Sequence, residues 1–195
     1  MGDRLTALNA TYDVVVVGAG IVGAACAHFL TEEGLRVAVL ERGSVGSGAT
    51  GAAMGHLVAM DDSPAQLALT KLSLQLWKKL EDKLPPSAEY WQPGTLWIAS
   101  DDEEMAEVRR KHEVYRFAGL VCEVLDSVAL GDAEPKLRRP LAGALQVMGD
   151  GVIDPQAAAQ FFLRDVAERG GVFTDRNVVS IDGSAVLLRD ARRRS

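Results

Sequence analysis

Three glycines and one carboxylate are the residues of this chain whose types and spacing can do chemistry. Gly18, Gly20 and Gly23 stand in G-x-G-x-x-G spacing, and Glu41 follows them by about 20 residues. Each glycine has a separate task in binding a dinucleotide. Gly18 permits a sharp turn, Gly20 lets the backbone approach a pyrophosphate with no Cβ in the way, and Gly23 lets a helix pack close to a sheet. Amides near Ile21 and Val22, at the positive end of that helix, face the phosphates. A carboxylate at Glu41 can bind both hydroxyls of a ribose.

The surrounding residues supply the elements this chemistry needs. Val14 to Val17 are four consecutive β-branched residues, the pattern of a strand buried on both faces of a parallel sheet. A helix follows to Gly34, a second strand spans Arg36 to Leu40, and Glu41 stands at its C-terminal tip. Cys26 falls on that helix, where a small buried residue is expected. A second glycine-rich stretch, GSVGSGATGAAMGH from Gly43 to His56, comes next. It can lay bare amides and hydroxyls against a large ligand. Ala49, Ala52, Ala53 and Met54 make it too apolar for a solvated loop. Glu41 by itself permits either a nicotinamide or a flavin dinucleotide.

Composition narrows the class. The 195 residues are 48% hydrophobic and 25% charged, which is globular rather than disordered. A net charge of −6 leaves no footprint for nucleic acid. Cys26 and Cys122 share no ligand spacing, and the three histidines join no cysteine or carboxylate cluster, so neither a metal site nor a disulfide framework is expected. The opening is mixed and polar, and the apolar run from Val14 to Ala27 is too short to span a bilayer. A cytoplasmic protein is the simplest expectation.

Further along, Ser63-Pro64 reads as the start of a helix whose core face carries Leu69, Leu72, Leu76 and Leu80. Thr95 to Ala99 reads as a strand, and Asp101 with Glu104 as a capping box opening a helix with Met105, Val108, His112 and Tyr115 on one face. His112 reads as a helix-surface or interface histidine. Val121 to Leu125 and Gly143 to Met148 are strand candidates, and Ser127 to Leu137 is a short acidic helix or turn region. Asp154-Pro155 opens a helix with Phe161, Phe162 and Val166 inward, ended by Gly170-Gly171. Val172 to Thr174 and Asn177 to Ile181 read as short strands. The fold expected is α/β: a Rossmann-like domain of βαβ units on a parallel sheet (1–89 and 154–183), interrupted by part of a mixed-sheet domain (90–153), with an irregular tail (184–195).

VVVVGAGIVGAACAHFLTEEGLRVAVLER followed by SGATGAAMGH resembles the FAD-dependent D-amino acid oxidase/glycine oxidase superfamily, in its bacterial group of glycine oxidase, hydrogen cyanide synthase subunit and hydroxyproline dehydrogenases. The likeness continues more weakly through YWQPGTLWIA and GVIDPQAAAQFFLRDVAERGG. It implies that Gly18, Ala19, Gly20, Ile21 and Val22 hold the FAD pyrophosphate, that Glu41 binds the adenosine ribose, and that Arg42 lies beside the adenine. It implies that Ser47, Gly48, Ala49 and Thr50 contact the phosphate and ribityl region, that Ala53, Met54 and Gly55 run under the isoalloxazine, and that the Val178 backbone pairs with adenine. His56, next to the flavin edge, is the candidate to touch flavin or substrate. The implied chemistry is hydride transfer from the α-carbon of a small amino acid or secondary amine to flavin N5, giving an imine, with electrons passing on to oxygen or a membrane acceptor. A peripheral position at the inner face of the membrane is compatible with that.

The family usually runs to roughly twice this length, and its substrate-binding residues lie mainly in the half not seen here. The end at Ser195 is therefore expected to be truncated or frame-altered, with little activity for the chain alone. Two other readings stand beside this one. A short FAD- or nucleotide-binding subunit would complete its site with a partner chain. An NAD-binding dehydrogenase domain is disfavoured by Gly43 to Gly55.

Overall fold

A computed structural model describes residues 11–169, 171–183 and 185–190. Gly170, read as part of the glycine pair ending the last helix, and the tail beyond 190 lie outside the described residues. The elements run β1 (Val14–Val17), α1 (Ile21–Glu32), β2 (Val37–Leu40), α2 (Ala49–Ala52), β3 (His56–Leu57), α3 (Pro64–Leu80) and β4 (Thr95–Ala99). They continue α4 (Asp102–Phe117), β5 (Cys122–Asp126), α5 (Ser127–Ala133), β6 (Gly143–Val147), β7 (Gly151–Val152), α6 (Pro155–Glu168), β8 (Val172–Phe173), β9 (Arg176–Asp182) and β10 (Ala185–Asp190).

The chain divides into two compact units. One comprises the described residues through Gly55, Leu84–Ala88 and the described residues from Asp154; the other comprises His56–Lys83 and Glu89–Ile153. Residues 56–83 and Glu89, assigned from sequence to the first domain, thus belong with the second.

In the first unit β1, β2 and β8 form a parallel sheet in the order β1-β2-β8, with Val14 opposite Val37 and Val17 opposite Leu40. All four residues of β2, the central strand, are buried. β1 is not: Val15 and Val17 are exposed, Val17 by 54%, against the expectation of a strand covered on both faces. The physical reason is that Val15 and Val17 point to the same face of β1, and that face is left open while Val14 and Val16 on the other are partly covered. Helix α1 packs on α6 through a cluster in which the buried His28 ring lies 5.4 Å from Phe162 and 6.2 Å from Phe161. Cys26 faces outward and is exposed, not buried as expected. Gly34 takes φ +85° just past the helix end, the left-handed conformation that stops a helix there.

β9 and β10 pair antiparallel from Asp182 opposite Ala185, turning at Gly183 with φ +56°. Residues 185–190, expected to be irregular, are therefore strand. The apolar run Ala185 to Leu188 gives that strand a side to bury, and Leu188 is buried.

In the second unit β4, β6 and β5 form an antiparallel sheet in the order β4-β6-β5, and β3 pairs with β7. α4 covers the sheet with Met105, Val108 and Tyr115. Asp101 caps it as expected, accepting from the Glu104 amide at 2.9 Å, while Glu104 reaches back to the Ser100 amide at 2.6 Å. α3 differs from its expectation. Leu69, Leu72 and Leu76 are exposed, Leu69 by 66%, and Leu67 and Leu74 are the residues packed on the core. α3 is leucine-rich on more than one face, so periodicity did not single out the buried one.

Candidate functional site

The site is built from two loops of the first unit and the carboxylate between them. Gly18 makes the turn after β1 with φ +99°, and its amide donates to Leu40 O at 2.8 Å. A Cβ on Gly23 would lie 2.2 Å from Gly18 O, so the helix can follow the strand this closely only with glycine there. α1 begins after Gly20, and its first backbone bond is Ala24 N to Gly20 O, 2.9 Å. The amides of Val22 and Gly23 precede that bond and have no intrahelical carbonyl. The Ile21 amide, read from sequence as a phosphate donor, donates instead to Thr50 Oγ1 at 3.0 Å. Thr50 is buried, and a Cβ on Gly20 would meet the same oxygen at 3.1 Å.

Glu41 is fixed on every side. Its amide donates to Phe173 O at 2.9 Å, and its carbonyl accepts from Arg176 N at 2.9 Å, joining β2 to β8 and to the start of β9. Oε2 accepts from the Ala19 amide and Oε1 from the Gly43 amide, both at 2.8 Å. The carboxylate therefore ties the first glycine turn to the second glycine-rich stretch. An ionised carboxylate has about four acceptor positions, so both oxygens keep capacity for hydroxyls. Ala19 is fully buried and closes the link in the other direction, its carbonyl accepting from Gly46 N at 2.9 Å.

The second stretch is not a plain loop. Residues 49–52 form the one-turn α2, and the Ser47 hydroxyl donates to Ser44 O at 2.8 Å. Ser47, Gly48, Ala49, Ala53 and Met54 are exposed, Met54 by 81%, while Gly55 is buried. Arg42 is exposed beside Glu41. Val178 stands on β9 opposite Leu188, where the register slips between Leu187 and Leu188. It is two residues beyond Arg176, which bonds Glu41. Hydrogen bonds thus bring together the Gly18–Val22 turn, Glu41, the stretch through Thr50 and the start of β9 at Arg176. His56 is exposed at the first position of β3, paired with Val152, in the other unit.

Two polar residues escaped the sequence reading. Gln156, in the first turn of α6, donates from Nε2 to Gly46 O at 3.4 Å. Only a polar residue after the Asp154-Pro155 helix start marked it. Asp150, in the second unit, is fully buried; its carboxylate accepts from Ala59 N at 2.9 Å and from Thr95 Oγ1 at 2.5 Å. Burial pushes its carboxyl above the ordinary range, against those two hydrogen bonds. Its sequence context, Gly149-Asp150-Gly151, signalled only a turn. Among the described residues no group of three or more His, Cys, Asp or Glu could hold a metal ion.

Helix-end amides, a pinned carboxylate and glycines whose Cβ positions must stay empty fit a dinucleotide with its pyrophosphate at the start of α1 and a ribose at Glu41. The family model for FAD-dependent oxidoreductases (DAO) matches residues 13–194. The chain belongs to this family. The family's cofactor is FAD, and its members among the relatives below are oxidases and dehydrogenases of amino acids or amines. The chain is 32% identical over 157 residues to glycine oxidase of Geobacillus kaustophilus, covering 76% of this chain and 42% of that protein. It is 31% identical over 166 residues to sarcosine oxidase subunit beta of Rhizobium meliloti, covering 82% and 40%. The crystal structure of the Geobacillus kaustophilus glycine oxidase superposes with a TM-score of 0.79 at 29% identity, over 91% of this chain and 50% of that one. L-proline dehydrogenase from P. horikoshii gives 0.81 at 27% identity, over 92% and 48%. The chain spans about half the length of the relatives it matches, or less.

Proposed function

We propose that this chain binds FAD and forms the cofactor-holding part of an oxidoreductase acting on small amino acids or secondary amines. In this reading Gly18, Ala19, Gly20 and Val22 line the pyrophosphate, Glu41 takes the adenosine ribose, and Arg42 and Val178 flank the adenine. Ser47 to Thr50 line the phosphate and ribityl region, and Ala53 to Gly55 run toward the flavin ring. When bound, the flavin supplies the acceptor for a hydride from the substrate α-carbon, leaving an imine. The residues of this chain orient the cofactor and neutralise its charge through amides and helix dipole. The observation that carries the reading is Glu41, whose two oxygens each hold an amide of a different glycine-rich stretch while keeping acceptor capacity. Titrating the purified chain with FAD and following quenching of flavin fluorescence tests it. Saturable binding that NAD does not displace is expected; tight NAD binding without FAD binding would overturn it in favour of a nicotinamide domain.

A second reading has a specific observation behind it. One face of β1 leaves Val15 and Val17 exposed, and among the described residues no strand pairs with its outer edge. A partner polypeptide that adds a strand there would complete the sheet and the site. Sedimentation of the purified chain decides it: a well-behaved monomer with no exposed-surface dye binding counts against a partner. We place the protein in the cytoplasm, or at the inner face of the membrane where a membrane electron acceptor is within reach. Cell fractionation tests that placement.

A further inference from the structure

The second glycine-rich stretch is held to the helix layer by a side chain outside both glycine loops. Gly46 has φ +69°, and a Cβ built on it would lie 3.3 Å from Gln156 Cγ and 3.4 Å from Gln156 Cα. A Cβ on Gly51 would lie 2.7 Å from Gln156 Nε2 and 3.2 Å from Cδ. The side chain of Gln156 thus runs past Gly46 and ends against Gly51, filling the space that both glycines leave, and Nε2 donates to Gly46 O at 3.4 Å. Its base is rigid. Asp154 caps α6 by accepting from Ala157 N at 2.7 Å, its own amide donates to Ala88 O at 2.7 Å, and Pro155 occupies the first helical position. Helix α6 in turn packs on α1 through Phe161 and Phe162 against His28. A line of contacts therefore runs from the phosphate end of one loop, through α1 and α6, to Gln156 and the other loop.

We infer that Gln156 is a positioning residue for the cofactor. Its approaches to Gly46 and Gly51 are to residues outside the groups assigned to FAD. It sets the path of residues 46–51, and through them the place of Thr50, whose hydroxyl holds the Ile21 amide. The inference rests on the FAD reading of this cradle. Gln156 carries an exposed surface, so its loss removes a brace from the loop without opening a cavity in the core.

The test is a double-substitution cycle on the 195-residue chain with Gln156→Ala and Gly46→Ala, read by FAD titration, by the visible circular dichroism of bound flavin, and by hydrogen exchange of residues 43–55. Gln156→Ala is expected to weaken FAD binding about fivefold, the loss of one neutral hydrogen bond and its packing. It should change the flavin dichroism and speed exchange in the loop, with the unfolding midpoint of the chain unmoved. Gly46→Ala carries the strain of a positive φ in both backgrounds, so that part cancels, and it should cost less affinity in the Gln156→Ala background than in the wild type. Gln156→Met, which keeps the length but not the donor, should recover part of the affinity. Additive effects, or wild-type affinity and exchange for Gln156→Ala, would overturn the inference. If the wild type itself fails to bind FAD, the functional reading fails separately, and loop exchange alone decides whether Gln156 braces residues 43–55.

Discussion

Thr50 Oγ1 accepts the amide of Ile21 at 3.0 Å across a sequence separation of 29 residues. One hydroxyl of the second glycine-rich stretch thereby satisfies the first amide of the helix that starts the site. A hydroxyl that accepts still has its own hydrogen to donate, which leaves Thr50 able to bond a phosphate oxygen. Thr50→Val keeps the shape and removes both functions. It should weaken FAD binding about tenfold, while Thr50→Ser stays within about twofold. Fluorescence titration of the two variants separates hydroxyl from methyl.

Glu41→Gln tests the clamp between the loops. A carboxamide can accept on one side only, so its NH2 must face the amide of either Ala19 or Gly43, both of which now donate to the carboxylate. Hydrogen bonds to a charged group are worth about 1.5–3 kcal/mol, so a drop in unfolding free energy of about 2 kcal/mol is expected. Urea denaturation measures it, and an unchanged midpoint would show that the clamp carries no stability.

Gly23 and Gly48 make a matched pair. Alanine at Gly23 puts a Cβ 2.2 Å from a backbone oxygen, which cannot move aside as a side-chain end would. Overpacking of that kind costs about 1–3 kcal/mol. At Gly48 nothing lies within 4 Å of the Cβ position, so a methyl meets no atom there and only the backbone, at φ −89° and ψ −134° outside the regions usual for an L side chain, opposes it. Gly48→Ala should therefore carry backbone strain alone, about 1 kcal/mol, and cost less than Gly23→Ala, and thermal unfolding of both variants checks the contrast.

Asp150 gives a pH dependence of defined sign. Its folded carboxyl titrates above the unfolded one because burial disfavours the charge. Between the two values the folded chain holds a proton that the unfolded chain has lost, so stability falls as pH rises through that window and levels off above it. Asp150→Asn removes the titration and should flatten the slope. Denaturation midpoints from about pH 4 to about pH 7 measure it, and an unchanged slope in the variant would assign it to other groups.

Leu69, Leu72 and Leu76 share a face of α3, yet all three are exposed. Each substitution to Gln should change stability by less than about 0.5 kcal/mol, whereas the buried Leu67→Ala should cost about 2 kcal/mol or more. A large loss at Leu72 or Leu76 would mean that those side chains are covered in solution.

The spacing of Gly18, Gly20, Gly23 and Glu41, the four-valine run and the caps at Ser63, Asp101 and Asp154 determined the βαβ unit, the place of the site and most element boundaries, because backbone turns and helix ends are local events set by a few neighbouring residue types. Tertiary structure decided which groups are occupied and which faces are covered. Ile21 and Glu41 found partners tens of residues away, Gln156 reached the loop only because α6 lies against it, and Val15, Val17 and Leu69 are open because burial depends on what packs beside a strand or helix. No local pattern reports that, since the same apolar period forms whether or not a neighbouring element arrives to cover it.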